Sequence, residues 1–524
     1  MKGWVFALAV LISLPEGRAE EPASVQRWGI FELSFKGPSQ GNPFADVHLS
    51  AVFTQGERKV SAEGFYDGNG VYKIRFMPES EGRWSYEVQS SLPDLNGRQG
   101  AFVCTPAASG NHGPVRVREQ YHFAYADGTP FFPFGTTIYK WFFQPDAVQQ
   151  QTLQTLRNSP FNKVRFLLLP PGNLRSNTDP NALTCFPFQQ KGMNGWDFTQ
   201  FNPEYFRKIE RGIAQLSELG VEADVILFHP YDRGEWGFDR MSMEDRRFYL
   251  RYVIARLAAF RNIWWSLANE NSFIQNLTDE DWDALFCLVQ EKDPYQHLRS
   301  MHNADRIYDY TKTWVTHVSL QYYMAARYLG IAPMLRDIYK KPIVLDEINY
   351  EGNIDRRWGQ LSGEEMAFRF WSAYIGGAYA THGEALKISI SDVPWTSAGG
   401  TLRGQSPPRI SFLRKIVESG PPEGLEPIDQ YYETNIAGRP GRYYLIYFGK
   451  EPIRKWTFRL PKKGLENGMR FRAERIDTWN MTIESVEDTF EVEKLDQYVY
   501  ADVKRRTIQM PGRPYMALRL QCVD

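Results

Sequence analysis

Two apolar runs in this chain of 524 residues end abruptly in acid. Trp264-Trp265-Ser266-Leu267-Ala268 breaks into Asn269-Glu270, and Ile343-Val344-Leu345 breaks into Asp346-Glu347, 77 residues further on. A parallel strand buried on both faces reads as such a run, and its C-terminal end is where barrel enzymes keep catalytic groups. Two carboxylates at the ends of two strands are what glycosidic-bond hydrolysis needs, one as acid and base, the other as nucleophile. Glu270 takes the acid/base position, with Asn269 beside it to hold a substrate hydroxyl, and Glu347 takes the nucleophile position. A retaining reaction places such groups ~5–5.5 Å apart. It also needs the pKa of Glu270 raised and Glu347 kept ionised, for which Arg165 and Tyr322 are the candidate donors. Asp346 directly precedes Glu347, and strand alternation lets only one of them face the barrel mouth. Glu351 is a further acid nearby, better suited to holding the following loop. Gln321, Tyr322 and Tyr323 are consecutive, and the spacing does not choose between them.

Such groups need a scaffold, and the chain from 115 to 420 supplies one. Eight strand candidates occur there in order: Phe131 to Gly135, Lys163 to Leu169, Ala223 to Phe228, Ile263 to Ala268, Leu298 to His302, Trp314 to Leu320, Pro342 to Asp346 and Ala378 to Gly383. Amphipathic helices fall between them, one capped by Asn202 and opened by Pro203, another with Asp279, Glu280 and Asp281 in its first turn. The expected fold class is α/β, a (β/α)8 TIM barrel in which Glu270 follows strand four and Glu347 strand seven. A doubly wound sheet loses ground because no glycine-rich loop follows the first strand. Residues 24–108 alternate in short strands with turns such as Asp67-Gly68-Asn69-Gly70, which predicts an Ig-like β-sandwich. Residues 427–524 return to strands and predict a C-terminal all-β domain.

Other residues at the strand ends are expected to line a sugar pocket, where each hydroxyl needs a partner. They are Tyr139, Lys140 and Trp141 after the first strand, His229, Tyr231 and Asp232 after the third, and His302 and Asn303 after the fifth. Trp395, on the loop beyond the eighth, could stack on a sugar ring. His229, His302 and His317 lack zinc-site spacing, so no metal and no other cofactor is expected. No Gly-x-Ser-x-Gly elbow is present, which counts against a serine esterase. The net charge of −1 gives no reason to expect nucleic acid or an anionic membrane as partner. No protein partner is indicated either. Lys2, the apolar stretch to Leu14 and Gly17-Arg18-Ala19 read as a signal peptide over 1–19, so the mature protein is expected to be secreted or periplasmic. No later apolar run is long enough to insert in a membrane. The four cysteines permit a disulfide at that location without indicating one.

The Asn269-Glu270 step and the segment Pro342 to Glu347 resemble the large clan of retaining (β/α)8 glycoside hydrolases called clan A. Three longer segments are similar to a bacterial branch related to the apiosidase-like glycosidases: Trp196 to Phe206, Trp264 to Asn271, and Asp346 to Asn353. The resemblance implies a β-sandwich of unassigned role before the barrel and a collagen-binding-like β-domain after it. It also implies hydrolysis of a plant or microbial polysaccharide or oligosaccharide through a covalent glycosyl-enzyme intermediate. The alternative is a catalytically inactive barrel that binds glycan or mediates surface adhesion.

Overall fold

The structure, a computed structural model, describes residues 23–172, 185–192, 195–389, 392–428 and 435–523. The expected signal segment, 1–19, lies outside them. Two compact units divide the chain, the first comprising residues up to Arg116 with Tyr125–Thr129 and Leu167–Arg299.

The first unit opens with a seven-stranded sheet. Its order is Ser24–Gln26, Gln99–Thr105, Gly82–Ser90, Leu49–Gln55, Arg58–Tyr66, Val71–Phe76 and Phe31–Lys36. The strand Arg58–Tyr66 pairs first with Leu49–Gln55 and then, from Gly64 onward, with Val71–Phe76. A Cβ at Gly64 would lie 2.7 Å from the Leu49 side chain, so the change of partner needs glycine there. The sheet thereby folds over its own apolar face. Phe31 stacks on Phe102 and Phe53 on Phe76, each pair 4.0 Å between centroids. This is the packing of a β-sandwich.

The same unit holds the helices Pro203–Glu218, Met243–Leu257 and Asp279–Lys292. Asn202 caps the first, its side chain accepting from the Glu204 amide, and the other two begin in capping boxes built on Ser242 and Thr278. A buried ionic cluster ties the sandwich to these helices. Glu210 lies 2.9 Å from Arg75 and 2.6 Å from Arg256, and Arg256 reaches Asp67 at 2.9 Å.

Eight parallel strands form one sheet: β1 (Phe134–Thr137), β2 (Lys163–Leu167), β3 (Glu222–Phe228), β4 (Ile263–Ala268), β5 (Leu298–Ser300), β6 (Val318–Leu320), β7 (Ile343–Leu345) and β8 (Tyr379–His382). Their order is β5-β4-β3-β2-β1-β8-β7-β6. A parallel bridge between His302 and Ser319, and a bond from Ser300 Oγ to the His317 carbonyl at 2.6 Å, join the two ends of that order. The fold is therefore α/β with a barrel of eight strands between all-β sheets.

The first barrel strand starts later than its apolar residues suggest. Phe131 pairs with Phe123 in a short antiparallel ladder, and β1 begins only after Pro133, which has no amide to donate.

In the second unit the helix Gly363–Ile375 follows β7, and Ser406–Glu418 follows β8. A further eight-stranded sheet runs from Glu426–Pro427 to Met516–Cys522. Its core gathers Ile436, Tyr444, Phe458, Phe471, Phe490 and Leu518. Trp371 of the first of those helices stacks on Tyr447 of this sheet at 5.2 Å. All four cysteines are free thiols. No helix among the described residues is long and apolar enough to cross a membrane.

Candidate active site

Glu270 lies in the first unit. Every residue of β4 is buried, as a strand covered on both faces must be. The ladder to β3 runs one residue past the strand, with the Asn269 amide donating to the Phe228 carbonyl at 3.0 Å. Glu270 then takes the left-handed conformation, φ 48° and ψ 51°. For a residue with a Cβ that costs ~1–2 kcal/mol, and such strain gathers where a side chain must be aimed. Tyr231 donates to Glu270 Oε2 at 2.6 Å and accepts from Asn269 Nδ2 at 2.5 Å. One phenol thus couples the two residues of the Asn-Glu step.

Tyr231 is itself held by His229. Their rings stack at 5.4 Å, and the Tyr231 amide donates to His229 Nδ1 at 3.1 Å. Nδ1 is thus an acceptor, so Nε2 carries the proton and donates to the Leu169 carbonyl at 2.8 Å. Burial pushes the His229 pKa down to about 4, which keeps this neutral tautomer. Both nitrogens are committed within the protein. His229, expected to meet substrate, instead orients the tyrosine that meets Glu270.

Glu347 lies in the second unit. Beyond β7 the amides of Asp346 and Glu347 both donate to the Leu320 carbonyl, at 3.0 and 3.4 Å, and the two side chains part there. Asp346 turns into the barrel interior. It accepts from Lys163 Nζ at 2.8 Å, Ser319 Oγ at 2.6 Å and Thr381 Oγ1 at 2.8 Å, with Arg165 Nε 3.7 Å away. Burial alone would raise its pKa, but the Lys163 and Arg165 charges hold the carboxyl well below the usual range. Lys163 and Arg165 are two residues apart on β2, hence on one face of it. The Glu347 side chain is 12 % exposed against 1 % for Asp346, so Glu347 is the carboxylate that solvent and substrate can reach.

Tyr139 donates its hydroxyl to Glu347 Oε1, and His302 Nε2 stands 3.5 Å from the same oxygen. Burial pushes the Glu347 pKa up; His302, the Arg165 charge and the Tyr139 hydroxyl outweigh it and bring it down to about 2. Burial and the Glu347 charge together keep the Tyr139 phenol protonated, its pKa well above the usual value. Tyr350 completes the group, its hydroxyl 3.3 Å from that of Tyr139.

The remaining expected residues fall into two sets. Arg165 is fully buried beneath the carboxylates. Asn303 accepts from the Gln321 amide at 2.9 Å and so fixes the turn after β6. Tyr322 is 37 % exposed and its carbonyl accepts from the Ala325 amide at 3.0 Å; the phenol that donates to Glu347 is that of Tyr139, from the start of the barrel sequence. Trp141 has no exposed surface and packs on Phe142 and Phe166. Trp395 is 2 % exposed and donates to Thr136 Oγ1 at 2.8 Å. These two indoles are wall, not platform: neither has a face left to stack on a sugar. Glu351 accepts from the Gln405 and Ser406 amides and holds the loop after β8. Tyr350 is not among the expected site residues, although it lies three residues past Glu347.

Comparison with known proteins identifies the family. The apiosidase-like catalytic-domain family matches residues 118–385. Two domains of unknown function, DUF5060 and DUF5605, match 24–91 and 432–521. A comparison with the curated proteins returns no match. Among solved structures, the chain is similar to a protein of Bacteroides vulgatus described as a candidate glycoside hydrolase. The two are 41 % identical with a TM-score of 0.92, over 96 % of this chain and 100 % of the other. It also has the fold of a family 5 glycoside hydrolase from the same organism, with a TM-score of 0.57 at 15 % identity over 78 % and 93 % of the two chains. With half of its length matched by one catalytic-domain family and nearly all of it by one relative, the chain belongs to the apiosidase-like glycoside hydrolases.

Proposed function

We propose that this protein is a secreted retaining glycoside hydrolase in which Glu347 is the nucleophile and Glu270 the acid/base. The observation that carries the reading is the environment of Glu347, a reachable carboxylate held ionised by Tyr139, His302 and Arg165 at the end of β7. Ionised at every ordinary pH, it can attack the anomeric carbon. As the Glu347 oxygen bonds to that carbon, the bond to the leaving oxygen breaks and Glu270 supplies the proton that oxygen needs. Glu270, now a carboxylate, takes a proton from water. The water oxygen attacks the same carbon and releases Glu347, so configuration is kept. Tyr231, donating to Glu270, and Asn269, beside it, set the direction from which that proton is delivered.

The family points first to apiose-bearing plant glycans; arabinofuranosides, galactosides, glucosides and xylosides complete the substrate panel. Glu270→Gln and Glu347→Gln should each lower turnover of the best aryl glycoside by at least ~10³-fold without unfolding the protein. Azide should restore Glu347→Ala by forming a glycosyl azide of inverted configuration. Near-native activity of Glu347→Ala without azide would remove the nucleophile assignment. Export is tested by sequencing the mature N-terminus, expected after Ala19.

A further inference from the structure

We propose that Trp358 is the platform of a sugar subsite beside the nucleophile, stacking on a saccharide unit next to the one that is cleaved. The proposal rests on the glycosidase reading above. At 46 %, Trp358 is the most exposed tryptophan among the described residues. Its other side lies edge to face with Tyr350, 5.3 Å between centroids and 82° between planes. The Tyr350 hydroxyl is 3.3 Å from that of Tyr139, which donates to Glu347. Only two side chains therefore separate the open indole from the attacking carboxylate.

The loop that presents Trp358 is built to keep still. The Tyr350 amide donates to the Trp358 carbonyl at 2.6 Å, and the Leu361 amide to the Tyr350 carbonyl at 3.0 Å. The Gly352 amide donates in turn to the Leu361 carbonyl at 3.0 Å, closing the loop on itself. A Cβ at Gly359 would lie 2.6 Å from the Ile354 side chain, and one at Gly383 would lie 2.0 Å from the Tyr350 ring. Both glycines permit contacts that fix the aromatic pair. A ring ordered before binding costs little entropy to use, and an indole offers a broad apolar face to the axial C–H groups of a sugar. Trp141 and Trp395, the tryptophans that strand order alone points to, are closed in and cannot take this part.

The test compares Trp358→Ala and Trp358→Phe on two substrates of one sugar, the best aryl glycoside and the matching apiose-containing, arabino-, galacto-, gluco- or xylo-oligosaccharide. The expected result is a loss in kcat/KM on the oligosaccharide about tenfold greater than on the aryl glycoside, carried by KM and largely recovered by phenylalanine. Equal losses on both substrates would mean that Trp358 acts only through Tyr350 and would overturn the proposal. Undiminished kcat/KM on the oligosaccharide would do the same. If the wild-type protein cleaves neither substrate, the glycosidase reading fails separately, and calorimetric titration with the same oligosaccharides decides. Binding weakened about tenfold by Trp358→Ala keeps the subsite, and unchanged or absent binding removes it.

Discussion

A single hydroxyl tests how Glu347 is held. Tyr139→Phe removes the phenol that donates to Glu347 and leaves His302 and Arg165 in place. A bond to a charged acceptor is worth ~1.5–3 kcal/mol, so kcat/KM at neutral pH should fall about 10- to 100-fold. The nucleophile works only when ionised, so activity is present above the folded pKa and lost as pH falls through it. With one donor gone that pKa rises from about 2, and the acid limb of the kcat/KM profile should move to higher pH. An unshifted limb would show that the hydroxyl does not act on Glu347. Linkage gives the stability counterpart: with the folded pKa depressed, Glu347 stabilises the fold above the unfolded value of 4.5, and that contribution disappears as pH falls toward 2. The two acids are legible in sequence because the signal is local, an apolar run stopping at a carboxylate. Their partners are not, because Tyr139 and Glu347 are 208 residues apart and nothing near Tyr139 names the acid it meets. His229 shows the reverse limit. Its type suits a sugar pocket, while its role depends on a backbone carbonyl and an amide that a sequence cannot assign to ring nitrogens.

At the scale of elements, two short strands after β7 and β8 do a similar job for a loop. Glu351 and Glu384 sit opposite each other in a parallel pair. Glu384 accepts from the Arg403 and Gly404 amides at 2.8 and 2.7 Å, and Glu351 from the Gln405 and Ser406 amides at 2.6 and 3.1 Å. Four successive amides thus point at two carboxylates, where the helix Ser406–Glu418 begins and its free N–H groups need acceptors. Glu351→Ala should cost about 3 kcal/mol in denaturant unfolding, since it strands buried donors. A cost below ~0.5 kcal/mol would mean that water replaces the carboxylate. Burial lifts Glu384 to about 7, so its effect has the opposite sign to that of Glu347. The folded state loses stability as pH rises from 4.5 through about 7. Unfolding followed between those pH values should show the decline in the wild type and a smaller one in Glu384→Gln. Strands were the readable elements here, since burial on both faces leaves an apolar run and each run lies within a few residues of its strand. The displaced start of β1 was not readable: Phe131 is as apolar as its neighbours, and only the antiparallel pairing with Phe123 decides where it goes.

Over the whole molecule, the division into sandwich, barrel and C-terminal sheet follows from changes in hydrophobic period along the chain. What fastens the sandwich to the barrel helices in the first unit is invisible at that level. Arg75 comes from a sandwich strand and Glu210 and Arg256 from two barrel helices, each an ordinary surface residue by type. Folding buries all three. Burial pushes the Glu210 pKa up, but the Arg75 and Arg256 charges bring it down to about 2, so its stabilisation is present above 4.5 and lost as pH falls through about 2. A buried ion pair contributes little beyond an apolar replacement, yet removing one partner leaves a charge without compensation. Glu210→Ala should therefore destabilise the protein by about 3–5 kcal/mol, with both guanidinium groups left facing the gap. Replacing Arg75 and Arg256 by Met together with Glu210 by Leu should restore most of that loss, because the carboxylates left behind, Glu32 and Asp67, keep Lys73 and Arg207 as partners. Denaturant unfolding of the single and triple variants separates the two cases. If the triple variant is no more stable than Glu210→Ala, the cluster's bonds to Asp67 and to the Arg256 carbonyl, rather than its charge balance, fasten the sandwich to these helices.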